Sequence, residues 1–374
     1  MSLTAFVIGT GFAGQGHTAA LRHAGVEVVG MAGRTPAVVE KVAGELGIAL
    51  WTTDWRAGLA DTRPDIVAVA TPGGAHMEPV TAALDQGAHV LCDKPLAPTA
   101  AEARQLHEHA LRAGVKTAYA ASYRYMPFVQ LARDLVADGA IGVPQEVEAV
   151  SHFGLDPLIP FGWSHTLAAG GGRLNNNFTH KLAIVLRVLG ADATRGDVSA
   201  VSGSTRSDLD RAPVVEGVHD FRTRRDFVPA SADDPGLTWA DSDADWSYTV
   251  LAEIACPATR TAGAPGVSAL FKHAGLQHRF DPDHLTFFGS QGAIHIEGHY
   301  GQGPLHLRRR GGDWQTVALP AAIQAGQPDI ADDTLRNWTM LARDLVADLG
   351  GQDVERYPTF HDGWRFQEII EAVR

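Results

Sequence analysis

Short apolar runs alternate with amphipathic segments through the first third of the chain. Runs rich in Val, Ile and Ala and bounded by polar residues or glycine are typical of strands buried on both faces of a parallel sheet. The segments between them have helical periodicity, so the pattern predicts a doubly wound α/β sheet. The predicted strands are residues 3–8, 26–32, 65–70, 89–92 and 116–121, and the predicted helices are residues 13–24, 36–46, 78–86 and 99–113.

The pattern changes near Pro144, where extended segments follow one another with few helices between them. Strands without crossover helices favour antiparallel pairing, which predicts an α+β domain with a large, mostly antiparallel sheet. We predict domains over residues 1–122 and 123–374, with the last helices packing back on the first domain. The predicted strands are residues 145–153, 197–205, 246–256, 266–272, 284–288, 293–298 and 305–309, and the late helices are residues 333–349 and 363–373.

Residues 207–245 are polar and acidic, with several prolines, and are predicted to be mainly a surface insertion. Asp241, Asp243 and Asp245 alternate within it as the ligands of a calcium-binding loop do. The glycine and the bidentate glutamate of such a loop are missing, so we predict a solvated loop and no metal site.

Composition restricts the possible partners. The 374 residues have a formal net charge of −12, which repels phosphate backbones and argues against nucleic acid. No apolar run approaches the roughly 20 residues that cross a bilayer. A strand pattern begins at Leu3 without a leader-like segment before it, so we expect an unprocessed cytoplasmic protein. Cys92 and Cys256 lie in apolar contexts and are predicted to be buried, reduced thiols.

A glycine-rich turn follows the first predicted strand and opens the first predicted helix. In this context the first glycine permits a tight turn, the second lets the backbone approach a pyrophosphate, and the third allows close helix–strand packing. The helix N-terminus also favours an anion. The sequence therefore predicts a Rossmann domain that binds a dinucleotide over residues 1–122. The residues with the spacing GxGxxG are Gly9, Thr10, Gly11, Phe12, Ala13 and Gly14.

The end of the second predicted strand bears on the choice of cofactor. An acidic residue there would bind the ribose 2′-hydroxyl of NAD, but the sequence has Gly33 and Arg34. A guanidinium pairs well with a 2′-phosphate, so we expect NADP to be preferred over NAD, with stacking of Arg34 on adenine in either cofactor as the alternative. Thr71 and Pro72 are expected to wall the nicotinamide, and His76 either joins them or caps the next helix.

Further motifs resemble one family of oxidoreductases. Residues 67–76 read V-A-V-A-T-P-G-G-A-H, and residues 83–95 read A-L-D-Q-G-A-H-V-L-C-D-K-P. Both are similar to segments of the Gfo/Idh/MocA family, named for glucose–fructose oxidoreductase, inositol dehydrogenase and a rhizopine-catabolism protein. Residues 123–127 and 358–363 are also similar to family segments, so the resemblance covers nearly the whole chain. The usual Glu-Lys-Pro motif is Asp93-Lys94-Pro95 here.

The resemblance implies an NAD(P)-dependent oxidoreductase with Asp93 and Lys94 at the cofactor. The family often shows G-G-x-L-x-D-x-G-x-H where residues 171–180 read G-G-R-L-N-N-N-F-T-H, so Asn176 replaces an aspartate and His180 is kept. The resemblance implies that Lys94, Asn176 and His180 converge beside the nicotinamide. A histidine suits the exchange of the hydroxyl proton, and a lysine stabilises an alkoxide or acts as base. An amide cannot act as a base, so Asn176 is expected to orient a substrate hydroxyl, with packing as the alternative.

The leading hypothesis is transfer of a hydride between the nicotinamide and a carbinol or carbonyl carbon of a sugar, cyclitol or related polyol. Tyr123, Tyr125 and Trp163 are candidates for an aromatic wall against a sugar ring, with core packing as the alternative. Two other functions stay open: a redox-neutral, glycoside-cleaving enzyme with tightly bound NAD, and a non-catalytic nucleotide-binding regulator. We expect a homodimer or homotetramer formed through the exposed face of the antiparallel sheet.

Overall fold

A six-stranded parallel sheet forms the first part of the molecule, which is described from a computed structural model covering residues 2–218, 223–278 and 280–374. The strand order β3-β2-β1-β4-β5-β6 reverses direction between β1 and β4, and ligands of such sheets bind outside the carboxyl ends of the strands at that point. The elements are β1 (Thr4–Ile8), α1 (Phe12–His23), β2 (Glu27–Ala32), α2 (Pro36–Glu45), β3 (Trp51–Thr52), α3 (Trp55–Thr62), β4 (Ile66–Val69), α4 (Met77–Asp85), β5 (His89–Cys92), α5 (Ala100–Ala113) and β6 (Thr117–Tyr119).

Local sequence explains these elements. The residues of β4 are all apolar and all buried, as expected for a central parallel strand. Thr99 caps α5 by accepting a hydrogen bond from the N–H of Glu102, and Gly114 ends that helix with a φ of +68°. The strands and helices predicted for this first part are confirmed to within a residue or two. The pattern missed β3 and α3, because β3 is very short and α3 has little apolar periodicity behind its capping Asp54.

The second part is built on an eight-stranded sheet in the order β16-β15-β14-β13-β7-β12-β11-β8. Its pairings are antiparallel except that between β7 and β12, so the predicted fold class is confirmed. The elements are α6 (Pro127–Ala137), β7 (Pro144–His152), α7 (Thr179–Leu189), β8 (Val198–Arg206), β9 (Arg211–Val214), β10 (Thr238–Asp241), β11 (Ser247–Ile254), α8 (Pro257–Ala262), β12 (Val267–Ala274), β13 (His284–Gly289), β14 (Gly292–Glu297), β15 (Leu305–Arg309), β16 (Gln315–Val317), α9 (Ala321–Gly326), α10 (Asp333–Leu349) and α11 (Phe360–Val373).

A completely buried lysine lies where α7 packs on this sheet. The ammonium of Lys181 donates to the carbonyl oxygens of Ala149 and Lys272, at 3.1 and 3.0 Å, and to the hydroxyl of Ser151 at 2.7 Å. Burial lowers the pKa of Lys181 to about 7. The hydrogen bonds satisfy its donors, but no carboxylate among the described residues forms an ion pair with it.

The last two helices return to the first sheet. Helix α10 lies along α1, where the Trp338 ring contacts the rings of Phe12 and His17 at centroid distances of 5.1 and 4.7 Å. Helix α11 packs on α5, and the N–H of Tyr119 in β6 donates to the carbonyl of Pro358 at 2.9 Å. The final segment therefore covers the face of the first sheet that carries α1, as well as its β6 edge.

The predicted insertion needs correction. Strands β9 and β10 pair within it, and residues 219–222 of the predicted segment lie outside the described residues. Asp245 is buried rather than solvated: it accepts from the N–H of Leu174 at 2.7 Å and from Arg374 at 2.9 Å. Asp243 accepts from the N–H of Leu167. Asp241 and Asp243 are exposed as predicted, so the correction concerns Asp245, whose carboxylate is bound by a backbone N–H and an arginine. In the described part of the chain, no cluster of three or more His, Cys, Asp or Glu side chains is arranged to hold a metal ion.

Candidate active site

A cavity of about 610 Å³ lies at the carboxyl ends of the parallel strands, between the two sheets. Residues from the glycine-rich turn, from the ends of β2, β4 and β5, and from the segment before α7 all line it. The two parts of the chain therefore build one site. The predicted site residues that line it are Gly9, Thr10, Gly11, Phe12, Ala13, Gly33, Arg34, Thr71, Pro72, Asp93, Lys94, Tyr123, Trp163, Asn176 and His180.

The glycine-rich turn has the steric properties that a pyrophosphate requires. Gly9 has a φ of +126°, and a Cβ there would lie 2.5 Å from the carbonyl oxygen of Ala70. A Cβ on Gly14 would lie 2.0 Å from the carbonyl oxygen of Gly9, so this glycine packs the helix on the strand and does not line the cavity. A Cβ on Gly11 would meet nothing within 4 Å. No acidic residue occupies the first turn of α1, so its N-terminal N–H groups fit a dinucleotide phosphate.

The end of the cavity next to β2 and β3 contains the exposed side chain of Arg34. Arg34 follows Gly33 at the cavity rim, and within the described residues it forms no ion pair. Thr53 and Trp55 also line this end, although the sequence pattern did not indicate them. An exposed guanidinium that lines the cavity fits a 2′-phosphate.

His76 does not line the cavity. Its ring is completely buried, with Nε2 2.8 Å from the carbonyl oxygen of Thr71 and Nδ1 3.2 Å from that of Leu96. It is the N-cap residue of α4, but its side chain makes no capping hydrogen bond. Thus neither sequence-based alternative describes His76, which instead links the loop of Thr71 and Pro72 to the segment after Lys94.

A lysine–asparagine pair occupies the middle of the cavity. The Nζ of Lys94 donates to Oδ1 of Asn176 at 2.7 Å, and Nδ2 of Asn176 donates to the carbonyl of Gly172 at 2.7 Å. Burial lowers the pKa of Lys94, although Asp93 acts in the opposite direction. The carboxylate of Asp93 accepts from the N–H of Lys94 and holds the turn that presents the lysine.

The asparagines follow a wide turn rather than an ordinary α-helix. Residues Leu174–Phe178 are π-helical and run directly into α7, so consecutive side chains diverge. Asn175 donates to the carbonyl of Gly171, and Asn177 donates to the hydroxyl of Tyr300 at 3.0 Å. Only Asn176 of the three lines the cavity. The turn thus places Asn176 in the cavity, whereas Asn175 and Asn177 make buried structural hydrogen bonds.

His180 faces Lys94 from the start of α7. Its ring meets those of Tyr123 and Tyr300 edge-on, at centroid distances of 4.7 and 5.3 Å. Burial lowers its pKa well below the ordinary value, and the charges of Lys94 and His299 lower it further. His180 is therefore a neutral imidazole at pH 7, which can either accept or donate a hydrogen bond.

The aromatic residues separate into two groups. Tyr123 and Trp163 line the cavity, whereas Tyr125 is buried and its hydroxyl donates to Asp344. Tyr125 therefore packs in the core and does not contribute to an aromatic wall against the substrate. The ring of Tyr123 stacks on Tyr300 at 4.4 Å, and its hydroxyl lies 3.1 Å from that of Thr334.

Sequence reasoning missed several cavity residues. Arg173 precedes the π-helical turn, and its position inside the quoted family motif is the only sequence signal that marks it. The others come from late segments that carry no recognisable motif. Besides Thr53 and Trp55, the missed residues include Phe153, Ser164, Arg173, Asp245, Trp246, His299, Tyr300, Thr334 and Trp338.

The fold and this cavity define a two-part dinucleotide-binding protein of the Rossmann class. Residues 3–121 match a family model described as "Oxidoreductase family, NAD-binding Rossmann fold". Residues 3–121 therefore match the NAD-binding domain of the Gfo/Idh/MocA family, the family that the motifs also resemble. In the described part of the chain, no helix has the length and apolar character needed to span a membrane.

Individual relatives are named for reactions on sugars. The chain is 28% identical to levoglucosan dehydrogenase of Pseudarthrobacter phenanthrenivorans over 185 residues, which is 49% of this chain and 46% of that protein. It is 40% identical to D-xylose 1-dehydrogenase (NADP(+)) 2 of Haloferax volcanii over 111 residues, 30% of this chain and 34% of that one. The chain thus spans about half or less of these curated relatives. A solved levoglucosan dehydrogenase, in complex with NADH and levoglucosan, shares the fold with a TM-score of 0.81 and 21% identity, covering 100% of this chain and 96% of that one.

Proposed function

We propose that the protein is an NAD(P)-dependent oxidoreductase that transfers a hydride between the nicotinamide and a carbinol or carbonyl carbon of a sugar, cyclitol or related polyol. One observation carries the proposal: Lys94, Asn176 and His180 line the same cavity as the glycine-rich turn. The names of the relatives, a levoglucosan dehydrogenase and a D-xylose dehydrogenase, support a sugar-like substrate. When bound, the nicotinamide supplies hydride transfer, and the protein must supply binding, orientation and proton exchange.

We assign Lys94 to the reacting oxygen. Its Nζ donates one hydrogen bond to Asn176, which leaves its other N–H groups for a substrate oxygen. A protonated Lys94 stabilises negative charge on that oxygen, and the lowered pKa brings the neutral, proton-accepting form closer to physiological pH. Asn176 fixes the position of the ammonium because its own amide is held on Gly172.

We assign His180 as the second proton carrier. The flanking rings of Tyr123 and Tyr300 limit its rotation, so the imidazole stays directed to the cavity. A proton on His180 is disfavoured while Lys94 is charged, because Lys94 lowers the pKa of His180. The two groups therefore share a single proton more readily than they hold two.

We propose that NADP is preferred over NAD. Arg34 lines the cavity without an ion pair among the described residues, and no carboxylate follows β2 to repel a 2′-phosphate. The relatives are divided on this point, since one is named for NADP(+) and another was solved with NADH.

The first experiment is a titration of the protein with NADPH and NADH, followed by tryptophan fluorescence, because Trp55, Trp163 and Trp338 line the cavity. We expect saturation by both and tighter binding of NADPH. A panel of sugars, cyclitols and ketones then tests turnover by absorbance at the nicotinamide band. Failure of every compound, with normal nucleotide binding, would contradict the reaction. Nucleotide that copurifies, together with glycoside cleavage without net reduction, would instead support the redox-neutral alternative.

We propose further that the eight-stranded sheet mediates self-association. Leu251 of β11 is 50% accessible, and Trp314, directly before β16, is 45% accessible. Light scattering coupled to gel filtration is expected to show a dimer or tetramer, and a monomer at micromolar concentration would contradict this proposal.

A further inference from the structure

In the described part of the chain, Arg173 places a guanidinium in the cavity without a hydrogen-bonded partner. Its side chain lies over the Trp246 ring at 4.8 Å and near the Phe153 ring at 5.5 Å. The backbone N–H of Arg173 donates to the carbonyl of Asp245, but within the described residues its guanidinium makes no hydrogen bond. Burial lowers its pKa to about 10, so the side chain remains charged at neutral pH. A charge without a hydrogen-bond acceptor in a partly enclosed site is costly, which indicates that a ligand completes it.

The neighbouring carboxylate is already engaged. The oxygens of Asp245 accept from Arg374 at 2.9 Å and from the N–H of Leu174 at 2.7 Å. The salt bridge with Arg374 uses the negative charge of Asp245, so Arg173 is only partly compensated. Arg173 lines the cavity, and among the described residues no acceptor binds its guanidinium N–H groups.

A second arginine, Arg224, is buried and adds positive charge near Arg173. Arg224 donates to the carbonyl of Pro160 and to the hydroxyl of Ser164, which lines the cavity. Within the described part of the chain, Arg224 forms no ion pair. Burial and the charges of Arg224 and Arg173 together lower the pKa of His165 to about 3. The part of the cavity lined by Arg173 and Ser164 is therefore positively charged, although the chain has a formal net charge of −12.

We propose that the substrate is an acidic sugar, whose carboxylate Arg173 binds while Lys94 and His180 contact the reacting hydroxyl. This inference rests on the proposed function and narrows its substrate class. A planar guanidinium held between aromatic rings presents the paired N–H groups that bind a carboxylate in bidentate fashion. Arg173 also lies about one helical turn before Asn176. A single ligand of roughly monosaccharide size would therefore place its carboxylate at Arg173 and its reacting carbon near Asn176.

Matched pairs of compounds test the proposal. D-glucuronate and D-galacturonate are compared with D-glucose and D-galactose, and D-glucose 6-phosphate reports whether a phosphate serves instead. We expect kcat/KM for the better acid to exceed that of its neutral partner by at least about tenfold. Neutral hexoses used as well as the acids, or a preference for the phosphate ester, would overturn the assignment of a carboxylate.

Variants of Arg173 test whether this residue causes the preference for the acid. Arg173→Gln is expected to lower kcat/KM for the acid by about 100-fold, mainly through KM, and Arg173→Lys by less, because one point charge remains. The loss on neutral hexoses is expected to be smaller than the loss on the acid, and NADPH titration checks that the variants fold. Arg112→Gln, at an exposed position on α5, is the control and is expected to change nothing. Equal losses on acidic and neutral sugars would refute a carboxylate-binding role.

Calorimetric binding of D-glucuronate to the protein saturated with NADPH separates this inference from the proposed function. Binding that Arg173→Gln weakens, without turnover of any sugar, supports the carboxylate site and contradicts the reaction. Turnover of neutral sugars, without measurable binding of either uronate, supports the reaction and contradicts the carboxylate site.

Discussion

The Nζ atom of Lys94 donates a hydrogen bond of 2.7 Å to Oδ1 of Asn176. The acceptor is a neutral amide where the family motif often has a carboxylate. A carboxylate would stabilise the ammonium, whereas an amide accepts the hydrogen bond without balancing the charge. The identity of residue 176 therefore sets how readily Lys94 releases its proton.

Replacing Lys94 tests its assignment to the reacting oxygen. Lys94→Met is expected to lower kcat/KM by about 10²- to 10⁴-fold, because both proton exchange and stabilisation of the alkoxide are lost. Steady-state kinetics measure the effect, and NADPH titration checks that the site is intact. Lys116→Met, at an exposed lysine, is the matched control. Turnover retained by Lys94→Met would remove this residue from the mechanism.

The pH profile should respond to residue 176. Asn176→Asp introduces a negative charge beside Lys94, so the pKa of the ammonium is expected to rise by about 1 to 3 units. If neutral Lys94 accepts the proton during oxidation, the rising limb of the kcat profile moves to higher pH by the same amount. Asn176→Ala, which removes the acceptor without adding charge, should not produce this upward shift. An unchanged profile in the aspartate variant would argue that Lys94 does not titrate in the reaction.

Arg34 should control the choice between the two nucleotides. Arg34→Ala is expected to weaken NADPH binding by about 10- to 100-fold, because a charge-assisted hydrogen bond to the 2′-phosphate is lost. NADH binding should change by less than about fivefold, since only a stacking contact is affected. Lys41→Ala removes an exposed charge from α2 and serves as control. Equal losses for both nucleotides would restrict Arg34 to adenine stacking.

Two helical glycines provide a matched pair for stability. A Cβ at Gly14 would lie 2.0 Å from the carbonyl oxygen of Gly9, whereas one at Gly44 in α2 would meet nothing within 4 Å. Gly14→Ala is expected to destabilise the protein by about 1–3 kcal/mol and to impair NADPH binding. Gly44→Ala is expected to stabilise it by about 0.5–1 kcal/mol. Denaturant unfolding measures both, and similar effects at the two positions would contradict the packing argument.

Lys181 should make stability depend on pH. Its folded pKa, about 7, lies below the unfolded value, so between these two values the unfolded chain binds more protons. The free energy of unfolding is therefore expected to rise with pH across this window, as far as Lys181 contributes. Lys181→Met removes the contribution, and its stability relative to wild type should be greatest near pH 6 and should decline towards pH 9. Parallel curves for the two proteins would show that Lys181 does not titrate in this range.

The first sheet could be predicted because its information is local. Buried parallel strands such as β4 read as apolar runs, and Gly9, Gly11 and Gly14 are required by a turn whose geometry is known. Lys94, Asn176 and His180 were indicated by motif resemblance, and the structure places all three on one cavity. Their catalytic roles remain proposals.

The rest of the site depends on contacts that no short pattern encodes. Asp245 reads as part of an acidic loop, yet it is buried because Arg374 and the N–H of Leu174 compensate it from distant segments. The π-helical turn likewise cannot be distinguished from an α-helix by spacing alone, so the divergence of the asparagines was not foreseen. His76 illustrates the same limit, since its partners at Thr71 and Leu96 are set by tertiary packing.

The return of α10 and α11 to the first sheet has a consequence for synthesis on the ribosome. Residues 1–122 emerge long before Trp338 can pack on Phe12 and His17, or Pro358 can accept from the N–H of Tyr119. Until then the nascent chain exposes the apolar face of α1 and an unpaired edge at β6, which are features that chaperones bind. The domain that is translated first is therefore among the last parts of the molecule to be completed.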